Sequence, residues 1–175
     1  MSSSLPEHLV VMGVSGTGKS TTALLLAERL GRPLIEGDDL HPPANVEAMR
    51  AGRALTDDDR GPWLRSIRDA MSSAGGPTVV TCSSLRRSYR DILRTADGGV
   101  RFVHLVVPPD ELARRLAERT GHFMPATLLA SQLATLEPLA SDEDGVDVPV
   151  TGTPESVAGD ALDRLGRPRD GGPAA

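Results

Sequence analysis

Cysteine occurs once in these 175 residues, at Cys82, so no disulfide can form within the chain, and a reducing, cytoplasmic setting is expected. The first residues, MSSSLPEHLVVMG, carry no basic segment, and their apolar run LVVM is too short for a secretory signal. No apolar stretch approaches the ~20 residues of a membrane span, so no membrane association is expected. Basic excess is also missing. The net charge is −5, which argues against nucleic acid as the main partner. Aromatics number four: Trp63, Tyr89, Phe102 and Phe123. Lysine is scarcest of all the charged types. Lys19 stands alone among eighteen arginines, as if arginine were the default cation and one position could not accept it.

What is present fits a single soluble α/β domain over 7–166, with Ser-, Pro- and Gly-rich ends at 1–6 and 167–175 that are expected to be disordered. Short apolar runs at 8–12, 33–37, 77–82, 102–107 and 146–150 read as five strands. Amphipathic stretches at 19–30, from Pro42–Pro43 to Gly52, and at 60–73, 86–95, 110–119, 126–136 and 154–165 read as helices. Strands that alternate with helices predict a central five-stranded parallel sheet covered on both faces, a three-layer α/β/α sandwich. Charge is uneven along the chain. The segment 36–59 holds seven acids against two arginines, and 83–119 holds eight arginines against five acids. These segments could form opposed walls of a phosphoryl-transfer cleft, or simply two solvated surfaces.

Gly13-x4-Gly18-Lys19-Ser20 follows the first predicted strand and opens the first predicted helix, the setting a phosphate-binding P-loop requires. Glycines let backbone N–H groups turn toward phosphate oxygens, and the helix N-terminus adds positive potential. The expected nucleotide-binding set is Gly13, Val14, Ser15, Gly16, Thr17, Gly18, Lys19, Ser20 and Thr21, with ATP as nucleotide and Ser20 as the Mg²⁺ ligand. Lysine is explained at the same stroke. A compact ammonium on a thin stem can reach between β- and γ-phosphates inside a ring of amides, where a planar guanidinium is too broad. The base-reading N-K-x-D of GTPases is excluded because there is no second lysine, and the chain is small for an ATPase motor. A kinase of small molecules remains.

The acceptor side is sought at the ends of the other strands, where open α/β sheets bind ligands. In EGDDLHPPANVEAM, Asp38 could accept the proton of an attacking hydroxyl or hold water on Mg²⁺; the Asp38–Asp39 pair also suits a turn. His41, Asn45 and Met49 share one helical face if the helix begins near Pro42. Arg60 could bind a carboxylate bidentately, and Trp63 beside it could wall a sugar pocket or anchor the core. Ser83 and Ser84 end the third strand, and Arg86, Arg90 and Arg94 share a face of the helix that follows.

Together, GVSGTGKS, GDDLHPPANVEAM, DDDRGPWL, CSSLRRSYRDILR and RTGHFMPATLLASQLATLE resemble the bacterial gluconokinases, in the same order and at matching spacing over about 8–150. The resemblance implies a P-loop fold like that of nucleoside monophosphate kinases, a mobile helical lid at about 120–138, and transfer of the γ-phosphate of ATP to the 6-hydroxyl of D-gluconate. It implies catalytic roles for Lys19, Asp38 and Arg119, the last at the start of the lid. It implies gluconate contacts from Asp38, His41, Asn45, Arg60, Ser83, Ser84 and His122, and a further substrate or phosphate contact from Arg90. It also allows a homodimer. Two positions depart from the family's usual pattern: Arg86 replaces a common lysine, and Glu36 precedes Gly-Asp where aspartate is more usual. The acidic run 142–144 acquires no role. A shikimate kinase is the alternative, but its glycine-rich stretch after strand three is replaced here by Cys82-Ser83-Ser84. A non-catalytic nucleotide sensor should lack polar groups at three strand ends.

Overall fold

A computed structural model describes residue 5 and residues 7–118 and 126–167. Five strands alternate with helices in the order β1 (His8–Met12), α1 (Lys19–Leu30), β2 (Leu34–Glu36), α2 (Pro43–Arg50), α3 (Asp57–Ser73), β3 (Val79–Thr81), α4 (Arg87–Leu93), β4 (Val100–Val106), α5 (Pro109–Glu118), α6 (Ala126–Thr135), β5 (Gly145–Pro149) and α7 (Pro154–Gly166). All pairings are parallel, and the strand order is β2-β3-β1-β4-β5. The central strand β1 therefore feeds the P-loop at its carboxyl end, with β3 on one side and β4 on the other.

Alternation along β1 divides the core. Val10 and Met12 face a cluster built from Trp63, Leu64, Ile67 and Met71 of α3, Leu93 of α4 and Phe102 of β4. Leu9 and Val11 face the opposite cluster, where Ala23 and Leu26 of α1 meet Val157, Ala158 and Ala161 of α7. The central strands β1, β3 and β4 thus bury both of their faces, which is why their sequences read as near-continuous apolar runs, while β2 and β5 at the sheet edges are partly exposed. This is the P-loop kinase sandwich expected from the sequence.

Boundaries shift where local chemistry overrides the apolar pattern. Helix α3 begins at Asp57, not at 60, because Thr56 caps it: its hydroxyl accepts from Asp59 N–H at 3.2 Å, and the Asp59 carboxylate accepts from Thr56 N–H at 2.9 Å. Strand β2 stops at Glu36, and Gly37–Leu40 form one 3₁₀ turn. Gly37 N–H donates to Thr81 Oγ1 at 3.1 Å. A Cβ at Gly37 would lie 2.1 Å from the Thr81 carbonyl oxygen, so no other residue lets this turn pass so close to β3.

Candidate active site

The P-loop closes tightly on itself. Gly13, Gly16 and Gly18 hold φ values of 145°, 85° and 88°, and Gly18 N-caps α1 from the left-handed region. Thr17 is buried beneath the loop, its hydroxyl donating to Val14 O at 3.0 Å. Lys19 Nζ donates to the carbonyls of Gly13 and Val14, each at 3.0 Å, so the ammonium is held across the mouth of the ring. Ser15, Gly16, Gly18, Lys19, Ser20, Thr21 and Asp38 line an open cavity of about 370 Å³. Ser20 Oγ donates to Glu36 Oε2 at 3.1 Å, and Thr81 Oγ1 donates to the same oxygen at 2.6 Å. A hydroxyl beside a carboxylate at the phosphate end of the loop is a hard oxygen donor pair of the kind Mg²⁺ takes alongside phosphate oxygens.

A second cavity, of about 80 Å³, opens on the other side of Asp38. Its lining includes His41, Arg53, Arg60, Trp63, Ser83 and Gln132. Asp38 borders both cavities and is exposed to both; Asp39, also exposed, lines neither. Asp57 and Asp59 are engaged elsewhere. Asp57 accepts from Tyr89 Oη and Arg86, and Asp59 belongs to the α3 cap.

His41 is fixed by stacking and by one amide. Its ring lies 4.0 Å from the Trp63 ring at an interplanar angle of 16°, and Trp63 Nε1 donates to Gly37 O at 2.7 Å. Trp63 is therefore both core anchor and pocket wall. Asn45 Nδ2 donates to Asp59 O at 2.9 Å and lies 3.3 Å from His41 Nδ1. The carbonyl partner orients the amide, so His41 Nδ1 accepts and Nε2 carries the proton. That Nε2 lies 3.8 Å from Asp38 Oδ1. Burial pushes the His41 pKa below its ordinary value, with Asp38 opposing the shift and Arg60 adding to it, so the ring is neutral at pH 7. Protonation then favours the unfolded chain. The stability His41 contributes is complete above about pH 6.5 and is lost as pH falls through the depressed folded value. Melting curves from pH 8 to 5 are expected to show a decline in the wild type that is shallower in His41→Asn; equal slopes would place the acid-sensitive group elsewhere.

Burial pushes the Cys82 thiol up to about 11, so it stays protonated beneath the site. Other expected contacts lie away from the cavity. Helix α2 starts at Pro43, so His41 precedes it, and Asn45 is buried behind His41 as its support. Ser83 lines the cavity, but Ser84 is fully buried, with φ +50° and its carbonyl accepting from Arg90. Arg90 is also wholly buried. Its Nε and Nη2 donate to the two Glu143 oxygens at 2.7 and 2.8 Å, and Nη1 donates to Ser84 O and Glu137 O at 2.9 and 3.1 Å. A guanidinium so enclosed has no path to a substrate. Arg86 pairs with Asp57 at 3.3 Å and lines neither cavity. Arg119, His122 and the first part of the expected lid, as well as both expected disordered ends apart from Leu5 and Arg167, lie outside the described residues.

The arginines of 83–119 that the structure describes are taken up by pairing: Arg86, Arg87, Arg90, Arg94, Arg101, Arg114 and Arg115 all form ion pairs, which favours the reading without a basic wall. The acidic run 142–144 gains its role from the same pairing. Asp142 meets Arg87, Glu143 meets Arg90 and Asp144 meets Arg101. A third cavity, of about 200 Å³, lies against the start of α1 and is lined by Thr17, Gly18, Thr21, Arg115, Val150 and Gly152 among others. Neither Arg115 nor Gln132 was marked by a sequence motif of its own.

A family model described as an AAA domain matches residues 9–139. A gluconokinase from Gluconobacter oxydans is 56% identical over 146 residues, covering 82% of each chain. The crystal structure of a gluconokinase from Sinorhizobium meliloti is 49% identical, with a TM-score of 0.84 and 91% of each chain covered. That of a sugar kinase from Janibacter is 47% identical, with a TM-score of 0.86, covering 91% of this chain and 94% of the other. A shikimate kinase from Aquifex aeolicus shares the fold at 18% identity and a TM-score of 0.56. With identity at this level over most of its length, the chain belongs to the gluconokinase family of P-loop kinases.

Proposed function

We propose that this enzyme transfers the γ-phosphoryl group of ATP to the 6-hydroxyl of D-gluconate, giving ADP and 6-phospho-D-gluconate. The observation that carries the reading is the position of Asp38 between the phosphate-loop cavity and a separate cavity lined by His41, Arg53 and Arg60. Phosphates rest on the amides of the loop, and the nucleoside extends toward the cavity beside Thr21 and Arg115. Gluconate enters the other cavity, where two arginines suit its carboxylate and the neutral His41 and Ser83 suit its hydroxyls. Asp38 orients the reacting hydroxyl. As its oxygen bonds to the γ-phosphorus, the bond to the β–γ bridging oxygen breaks with its electrons leaving on ADP, and the hydroxyl proton passes to Asp38. Ser20 and Glu36 would hold Mg²⁺, directly or through water, and the ion's charge would neutralise the phosphate oxygens. A cytoplasmic setting suits an enzyme that draws on ATP, and no described helix is long and apolar enough to cross a membrane.

A coupled assay of ADP release with gluconate, shikimate, gluconolactone, ribose and AMP tests the reading. Gluconate should give the highest kcat/KM; preference for another acceptor would overturn the assignment. Lys19→Arg is expected to lose about 10²-fold in kcat although charge is kept, because the fork cannot sit between the Gly13 and Val14 carbonyls without displacing the loop by about 1 Å. Steady-state kinetics within a few-fold of wild type would sink the steric argument.

A further inference from the structure

Gln132 joins the two cavities. It projects from α6, a segment whose root is anchored on α4. Glu137 N–H donates to Leu85 O at 2.7 Å, Glu137 Oε2 accepts from Arg87 N–H at 2.7 Å, and Arg90 holds the Glu137 carbonyl. From that base, Gln132 Oε1 accepts a hydrogen bond from Ser15 N–H of the P-loop at 2.7 Å, across 117 residues of sequence. The same side chain lines the acceptor cavity together with Leu128 and Ser131 of its helix. Ser15 in turn lines the phosphate cavity. A carboxamide has one acceptor end and one donor end. With Oε1 engaged by the loop, the donor end is the Nε2 group, carried by a residue on the wall of the cavity where the acceptor hydroxyl must meet the γ-phosphoryl group.

We infer that Gln132 is a further catalytic residue: the P-loop orients its carboxamide, and its Nε2–H group donates to an oxygen of the transferring phosphoryl group or of the attacking hydroxyl. A fixed donor aimed at developing charge contributes most in the transition state, and removal of one such donor commonly costs about 10²–10³-fold in kcat. The inference rests on the kinase reading above, and a purely structural competitor exists, in which Gln132 only braces the loop through Ser15.

Two variants separate these roles. Gln132→Leu removes both ends of the amide without adding charge. Gln132→Glu keeps the oxygen that accepts from Ser15 and removes the donor. Kinetics are measured with whichever acceptor in the panel gives the wild type its highest kcat/KM, and ADP affinity is titrated separately. The expected result is a loss of about 10²-fold in kcat for both variants, with the dissociation constant for ADP within about threefold of wild type. Activity of Gln132→Glu within about threefold of wild type would show that the brace alone matters and overturn the inference. So would an unimpaired Gln132→Leu, or ADP affinity that falls in step with kcat. Failure of the wild type to phosphorylate gluconate would instead remove the acceptor assignment, and the Gln132 comparison would stand on the preferred acceptor.

Discussion

Asp38→Asn is expected to lower kcat/KM for gluconate by about 10²–10⁴-fold, a loss of ~3–5 kcal/mol of transition-state stabilisation, while ATP affinity and the fold are retained. A sugar hydroxyl is a poor nucleophile at neutral pH. Asparagine has the shape of aspartate and can accept one hydrogen bond, but it cannot take the proton. The carboxylate is exposed at the junction of the two cavities, with the Nε2 of a neutral His41 3.8 Å away, so it is open to a hydroxyl on one side and to the phosphate loop on the other. Asp39→Asn should be milder by at least tenfold, because Asp39 lies outside both cavities. The comparison is made by kcat/KM for gluconate in both variants with nucleotide affinity titrated apart. A more damaging Asp39→Asn would remove the base role from Asp38. Full activity in both would leave no replacement nearby, since Asp57 and Asp59 are bonded to Tyr89, Arg86 and Thr56.

The residues that could be read from sequence are those whose chemistry is local. GVSGTGKS is a contiguous run whose backbone makes the site, and the lone lysine marks its own position. The central strands are buried on both faces and appear as near-unbroken apolar runs, and shorter runs mark the two edge strands, so the five-stranded sheet was legible, with errors of a few residues where capping and the 3₁₀ turn intervene. The place of Asp38 at the junction of two cavities was legible because clefts in an open parallel sheet form at the carboxyl ends of its strands. Helical spacing misled at Asn45 and Arg90, because spacing places residues on a face but does not say which face is buried. Asn45 and Arg90 point inward, and their partners, Asp59 O and Glu143, lie 14 and 53 residues away. Gln132 was hidden for the same reason: its meaning depends on an amide 117 residues earlier. Glu36 was seen only as a departure from the family pattern; its contacts with Ser20 and Thr81 are products of the sheet order.

Glu143→Ala is expected to lower stability by about 3–5 kcal/mol, because it leaves the Arg90 guanidinium charged, buried and without its carboxylate. For a chain of this size that is a fall of roughly 6–20 °C in melting temperature. Arg90 holds the Glu143 carboxyl below the usual range, so the pair's contribution is complete above the ordinary glutamate value of 4.5 and is lost as pH falls through the lower folded value. The mutant deficit should therefore be constant from pH 6 to 8 and shrink in acid. An apolar replacement of both partners, Arg90→Met with Glu143→Leu, removes the stranded charge and should recover part of the loss. Recovery stays incomplete, because Arg90 also satisfies the carbonyls of Ser84 and Glu137, and the second of these roots α6. Loosening that root should displace Leu128, Ser131 and Gln132 from the acceptor cavity, so the double variant should show a raised KM for gluconate and a lowered kcat, with ATP affinity near wild type. Calorimetric melts of the wild type, single and double variants at pH 7, with kinetics of the double variant, decide the matter. A Glu143→Ala deficit under about 1 kcal/mol would mean that water reaches Arg90 and that the pair behaves as a surface one.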